Sequence, residues 1–206
     1  MALVKHNNNS ISSVTSAAGF PAGALTHIKT LTASSSSTLS FVDGSSDVVL
    51  DNTYPVYLFK FINIHPSEEE HLYFNLSADT GSNYNVSKTS TIFQSYHAEN
   101  DGGGNLTYQG GNDLANSTGD LKIANNIGIL NDSSFSGEMF LFNPSSTTFV
   151  KHFMLRAPYH EGSNGTVEYF VGGYANTTSA VDAIIFRMNS GNIDSGTIKL
   201  YGIKGS

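Results

Sequence analysis

From Leu25 to the end, apolar and polar residues alternate with period two in short runs separated by turn-forming clusters, and no stretch carries a helical period. The clearest run is the last. Ile184, Phe186 and Met188 alternate with Ile185, Arg187 and Asn189, the segment SGNIDSG interrupts, and Thr197 to Ile203 resumes with Ile198 and Leu200 on one face. This pattern predicts a C-terminal β-hairpin over 183–204 that completes a sheet formed by the strands before it. The run YPVYLFKFINIH (54–65) is apolar almost throughout and predicts a strand at the centre of a sheet, buried on both faces, with Pro55 admissible only near its start.

Further strands are expected at 25–31, 39–42, 48–50, 72–76 and 91–97, at 105–109, and as short pieces at 121–123 and 127–130. A hairpin is expected from 137–142 and 149–156 around Asn143-Pro144-Ser145-Ser146-Thr147. A strand at 167–171 should then bend or bulge at Gly172-Gly173. Residues 1–24 show no period and read as an N-terminal arm, either folded back or reaching a neighbouring subunit. About a dozen short antiparallel strands predict an all-β fold, a β-sandwich of jelly-roll type, as a single domain over 25–206.

Composition narrows the function. Charged residues make up 13% of the 206-residue chain, and the formal net charge is -7. A surface of Ser, Thr, Asn and Gly is thus expected. Ten Lys and Arg spread along the whole chain do not make a phosphate-binding groove, which argues against nucleic acid. The absence of cysteine rules out disulfides and thiolate zinc sites. The start MALVKHNNNSISS lacks the features of a secretory signal, and no apolar run approaches the roughly 20 residues of a membrane helix. The expectation is a protein made in a cytosol and not inserted in a membrane. Its several Asn-x-Ser/Thr triplets, among them those beginning at Asn75, Asn105 and Asn176, then reflect composition and not glycosylation.

No motif carries catalysis. Asp79-Thr80-Gly81 resembles an aspartic-protease tripeptide, but such chemistry needs two carboxylates sharing a proton, and the tripeptide sits in a polar turn. Seven histidines include no metal-binding spacing, although His65 and His71 flank one turn. The glycines at 102–104 read as loop, Asp113, Asp120 and Asp132 fit no calcium-loop pattern, and Glu68 to Glu70 read as a solvated tip. No catalytic residue, metal site or cofactor is therefore expected. The Gly- and Asn-rich segment 98–120 and the loop at 157–165 are the expected contact surfaces, with Tyr96, Tyr108, Asn112, Tyr159 and His160 as binding candidates for a sugar or a protein partner.

The segments SSDVVLDNTYPVYLFKFINIHP, GEMFLFNPSSTTFVKHF and GYANTTSAVDAIIFRMNSGNIDSGTIKLYGIK resemble small virion structural proteins, tail-fibre-like, of tailed phages of marine bacteria, cyanophages included. The resemblance spans most of the chain from Leu25 and lies in strand and turn wording. It implies a non-enzymatic virion protein made in the bacterial cytoplasm. Such a protein would form a homo-oligomer, a trimer by preference, beside other virion proteins, and contribute to host attachment, with a surface glycan as a candidate receptor. A capsid decoration or cement protein is the alternative within the particle. A carbohydrate-binding module or glycan-degrading enzyme is the alternative outside it.

Overall fold

The computed structural model describes residues 25–204, and the N-terminal arm expected over 1–24 lies outside them. Twelve strands follow one another: β1 Leu25–Thr32, β2 Leu39–Val42, β3 Val56–Pro66, β4 Glu70–Ser77, β5 Lys88–Ala98, β6 Gly104–Tyr108, β7 Leu121–Ile127, β8 Phe135–Phe142, β9 Lys151–Glu161, β10 Gly165–Ala175, β11 Ala183–Met188 and β12 Ile193–Ile203. Their pairings are all antiparallel. One sheet runs β1-β12-β3-β8-β9-β10-β5-β6 and the other β7-β4-β11-β2, joined by a single rung between Ile127 and Glu161. Without the insertions β5–β6 and β9–β10, eight strands remain in two four-stranded sheets, β1-β12-β3-β8 and β2-β11-β4-β7. This is the double Greek-key order of a jelly roll.

The C-terminal hairpin expected from the sequence does not form. β11 pairs with β4 and β2, whereas β12 pairs with β3 and β1, so the turn at 189–192 carries the chain from one sheet to the other. Alternation marked both strands correctly, but it holds no information about which neighbour supplies the ladder. β3 does sit centrally, between β12 and β8. The core closes between the sheets through edge-to-face aromatic contacts, Phe41 with Phe59 at 5.4 Å, Phe61 with Phe186 at 5.1 Å and Phe74 with Phe153 at 5.2 Å.

Three local expectations are corrected. Residues 48–50 form no strand, although Val48 and Leu50 are buried; Asp43 Oδ1 accepts the Leu50 N–H at 2.7 Å in place of a ladder. The two pieces expected at 121–123 and 127–130 are one strand ending at Ile127, and Ile129 and Leu130 are exposed. β10 runs through Gly172-Gly173 in unbroken register with both neighbours. Gly173 is required there by closeness, not by a bend: a Cβ would lie 2.5 Å from the Thr89 carbonyl oxygen.

The outward face of the large sheet departs from the polar face usual for a solvated antiparallel sheet. One row across it reads Ile203, Val56, Phe142 and the next Tyr201, Leu58, Phe140, Met154. Leu58 is buried although it belongs to this outer face, Phe140 and Phe142 stack at 6.3 Å, and Met154 is exposed. A charged row flanks them: Lys199, Lys60, Glu138 and Arg156, with Lys60 paired to Glu138 at 2.5 Å and Arg156 to Glu168 at 2.5 Å.

Candidate functional site

The loops expected at 98–120 and 157–165 are shorter than anticipated, since 104–108 form β6 and 157–161 belong to β9, but their turns at 99–103 and 162–164 converge. The turn after β5 and the turn after β9 lie side by side, and the Glu99 N–H donates to the Asn164 carbonyl at 3.1 Å. Asn164 turns the chain with φ of 60°, a conformation that Asn tolerates better than most residues. A third segment, 128–134, packs against them through Gly128 N–H to His160 O at 3.0 Å and His160 N–H to Ser134 O at 3.1 Å.

Between these segments opens a cleft of about 340 Å³, lined by His97, Glu99, Asp132, Ser134, Pro158 and His160 among others. His97 and His160 share a face because both stand opposite Thr166 of β10. The His160 ring is held from both sides, Nδ1 to the buried Ser133 hydroxyl at 2.8 Å and Nε2 to Glu99 Oε1 at 3.2 Å. His97 Nε2 lies 3.5 Å from Asp101 Oδ1. The walls thus offer imidazole, carboxylate and hydroxyl groups beside the apolar Pro158 ring, a mixture suited to a ligand rich in hydroxyls.

The sequence-derived candidates divide. His160 lines the cleft with both ring nitrogens engaged at its rim. Tyr159 borders the same cleft but is a core residue, 4% exposed, whose hydroxyl accepts the Asn125 N–H at 3.0 Å; burial raises its pKa. Tyr96 stands opposite Val167 on the inner face, half-buried, with its ring over Gly165, where a Cβ would collide with it. Tyr108 is exposed on the outer face of β6 and donates to Asp113. Asn112 reaches inward, its Nδ2 donating to the Tyr169 hydroxyl at 3.0 Å, while burial pushes Tyr169 up to about 12. Glu99, His97 and Asp132, the last weighed from sequence only as a calcium ligand, complete the cleft, because the fold alone brings 97–101, 131–134 and 158–166 together.

The other motifs resolve as local structure. Asp79 caps its own turn, accepting from Ser77 Oγ at 2.7 Å and Asn83 N–H at 2.8 Å. His65 and His71 have separate partners, the Leu130 carbonyl at 3.2 Å and the Asn126 N–H at 3.0 Å. The Glu68–Glu70 tip is not simply solvated. Glu70 receives Ser190 Oγ at 3.0 Å and Asn189 Nδ2 at 3.2 Å, and although burial opposes its charge, these bonds and that from His71 N–H hold its carboxyl below the usual range. Among the described residues no three His, Asp or Glu side chains are grouped to hold a metal ion.

A second polar cluster lies inside the molecule. Lys88, at the start of β5, is fully buried, and its Nζ donates to Asn75 Oδ1 at 2.5 Å and to the Val86 carbonyl at 2.7 Å. Asn75 Nδ2 in turn donates to Asp120 Oδ1 at 2.8 Å and to the Thr118 carbonyl at 3.1 Å. Arg187 anchors the far side of Asp120, 2.5 Å from its Oδ2. Burial pushes the Lys88 amine down to about 8, against the opposing pull of the Asp120 charge. Nothing in the sequence marks this cluster, whose residues come from four separate segments. No known protein family, curated protein or solved structure matches this chain.

Proposed function

We propose that this protein is a non-enzymatic structural component of a tailed-phage particle, placed in the tail fibre or an adjoining appendage. It assembles with copies of itself and contributes to host attachment. The observation that carries this reading is the apolar outer face of the large sheet. Half-buried Phe140, Phe142 and Tyr201 and exposed Met154 stand side by side on β8, β12 and β9, with Phe140 and Phe142 stacked along β8, and suit burial against another subunit. The occupant is a second copy of the chain. The flanking row holds Lys60, Lys199 and Arg156 beside Glu138 and Glu168, so the strip carries both signs and complements itself under a symmetry rotation. In the trimer we favour, the strip faces the threefold axis and meets its copies on the two other subunits there, which leaves the loop cleft at the far end of the β5 and β9–β10 extension for the host.

Cryo-electron microscopy of the intact particle tests this. Copies at the tail, packed through this face with the His97–His160 cleft outward, are expected. Copies tiling the head would replace attachment with the cement reading, and absence from the particle would end both. The cleft itself favours one further reading, a free carbohydrate-binding protein. Glycan binding by a chain absent from particles would support that reading, and release of cleaved product would make it an enzyme.

A further inference from the structure

A lysine amine, a carboxamide and a carboxylate meet in the interior of this fold in an order that ion pairing does not explain. A carboxylate serving only to neutralise Lys88 would bond to its Nζ. Instead Asp120 bonds to Asn75 Nδ2, and it is the Asn75 carbonyl that faces the lysine. We infer that Lys88 and Asn75 are the precursors of an intramolecular isopeptide bond, closed by attack of Nζ on the Asn75 side-chain carbon with loss of ammonia, Asp120 carrying the proton.

An amine and an amide do not react in water, because the amine is protonated, the encounter is disordered and the amide nitrogen is a poor leaving group. Each obstacle is met here. Burial lowers the Lys88 pKa to about 8, so a sizeable neutral fraction exists near neutrality. The Val86 carbonyl and Asn75 fix Nζ against the amide, which substitutes for a bimolecular encounter. The Leu76 N–H donates to Asn75 Oδ1 at 2.8 Å, where negative charge develops when the carbonyl is attacked. Asp120 sits at the nitrogen that must leave, oriented by Arg187.

The step balances without a co-reactant. The Nζ lone pair forms a bond to Asn75 Cγ while the carbonyl π pair moves onto Oδ1. One Nζ proton passes to the Asp120 carboxylate and from it to Nδ2, the Cγ–Nδ2 bond breaks, the carbonyl reforms and ammonia departs. The open cleft between Tyr73, Asp120 and Arg187 gives ammonia a route out beside the carboxylate. The product is a covalent tie between β4 and the start of β5. It is independent of the assembly reading and turns over once per chain.

Mass spectrometry of the purified, folded full-length chain, held about one pH unit above the Lys88 pKa, tests the proposal. Trypsin is expected to leave Lys88 uncut. Cleavage after Tyr84 is expected to yield the Asn75 and Lys88 peptides still joined, lighter by one ammonia than their sum. The folded Asp120→Asn variant, which keeps the hydrogen bond but cannot relay a proton, is expected to give the two peptides separately at full mass. If the parent itself yields Asn75 and Lys88 in separate unmodified peptides after this incubation, the bond does not form. If Asp120→Asn cross-links as fast as the parent, Asp120 is not the proton carrier.

Discussion

At the scale of single residues, His71 shows geometry fixing a protonation state. Its Nδ1 accepts the Asn126 N–H at 3.0 Å, which leaves the proton on Nε2, facing Glu70 at 3.6 Å. Burial, assisted by the Lys122 charge, holds its pKa below the ordinary 6.5 and outweighs Glu70. An unfolded chain therefore binds a proton near pH 6.5 that the folded chain resists, and stability falls as pH drops from 6.5 through the lower folded value. Glu70 adds a loss with the same sign below its ordinary 4.5. Urea unfolding should show a lower midpoint at about pH 5 than at about pH 7, and His71→Gln, whose carbonyl still accepts the Asn126 N–H, should flatten that difference. Asn112 offers a second check. Asn112→Ala removes the partner of the buried Tyr169 hydroxyl and should cost about 1 kcal/mol in denaturant titrations, whereas Tyr108→Phe, at an exposed bond, should stay within about 0.5 kcal/mol.

Individual strands are shaped by packing that propensity does not encode. Gly172 and Gly173 are adjacent in β10 and face opposite sides. A Cβ at Gly173 meets the Thr89 carbonyl and the Phe153 ring, while at Gly172 its nearest neighbour is Thr91 Cγ2 at 3.8 Å. Gly173→Ala should destabilise by about 1–3 kcal/mol, with Gly172→Ala within about 0.5 kcal/mol, read as melting shifts of the two variants. Equal effects would mean that the pair serves backbone freedom and not close approach. β8 and β9 illustrate the opposite case, where a hairpin read from sequence is a hairpin in the fold, because Asn143-Pro144-Ser145-Ser146-Thr147 joins two strands of one sheet.

For the whole molecule, the proposed self-association rests on the outward apolar rows. Phe142→Glu combined with Met154→Glu places like charges where two copies are expected to meet. Sedimentation equilibrium should report an oligomer for the parent and a monomer for the double variant, with the thermal transition of the monomeric fold retained. A parent that stays monomeric at high concentration would remove the support for self-assembly through this face.

Period-two alternation and turn chemistry determined the all-β class, the central place of β3 and most strand positions, the expected strand at 48–50 excepted. Local sterics and face-by-face hydrophobicity are written into neighbouring residues, so a single chain displays them directly. Which strands pair was decided only in three dimensions. The 183–204 segment has the wording of a hairpin, yet its halves join different sheets, because each must cover one side of a core formed by strands far away in sequence. The same holds for the sites. The His97–His160 cleft and the Asn75–Lys88–Asp120 cluster assemble from separate segments, and the burial that gives a lysine an unusual pKa is a property of the closed sandwich, not of the residues beside it in the chain.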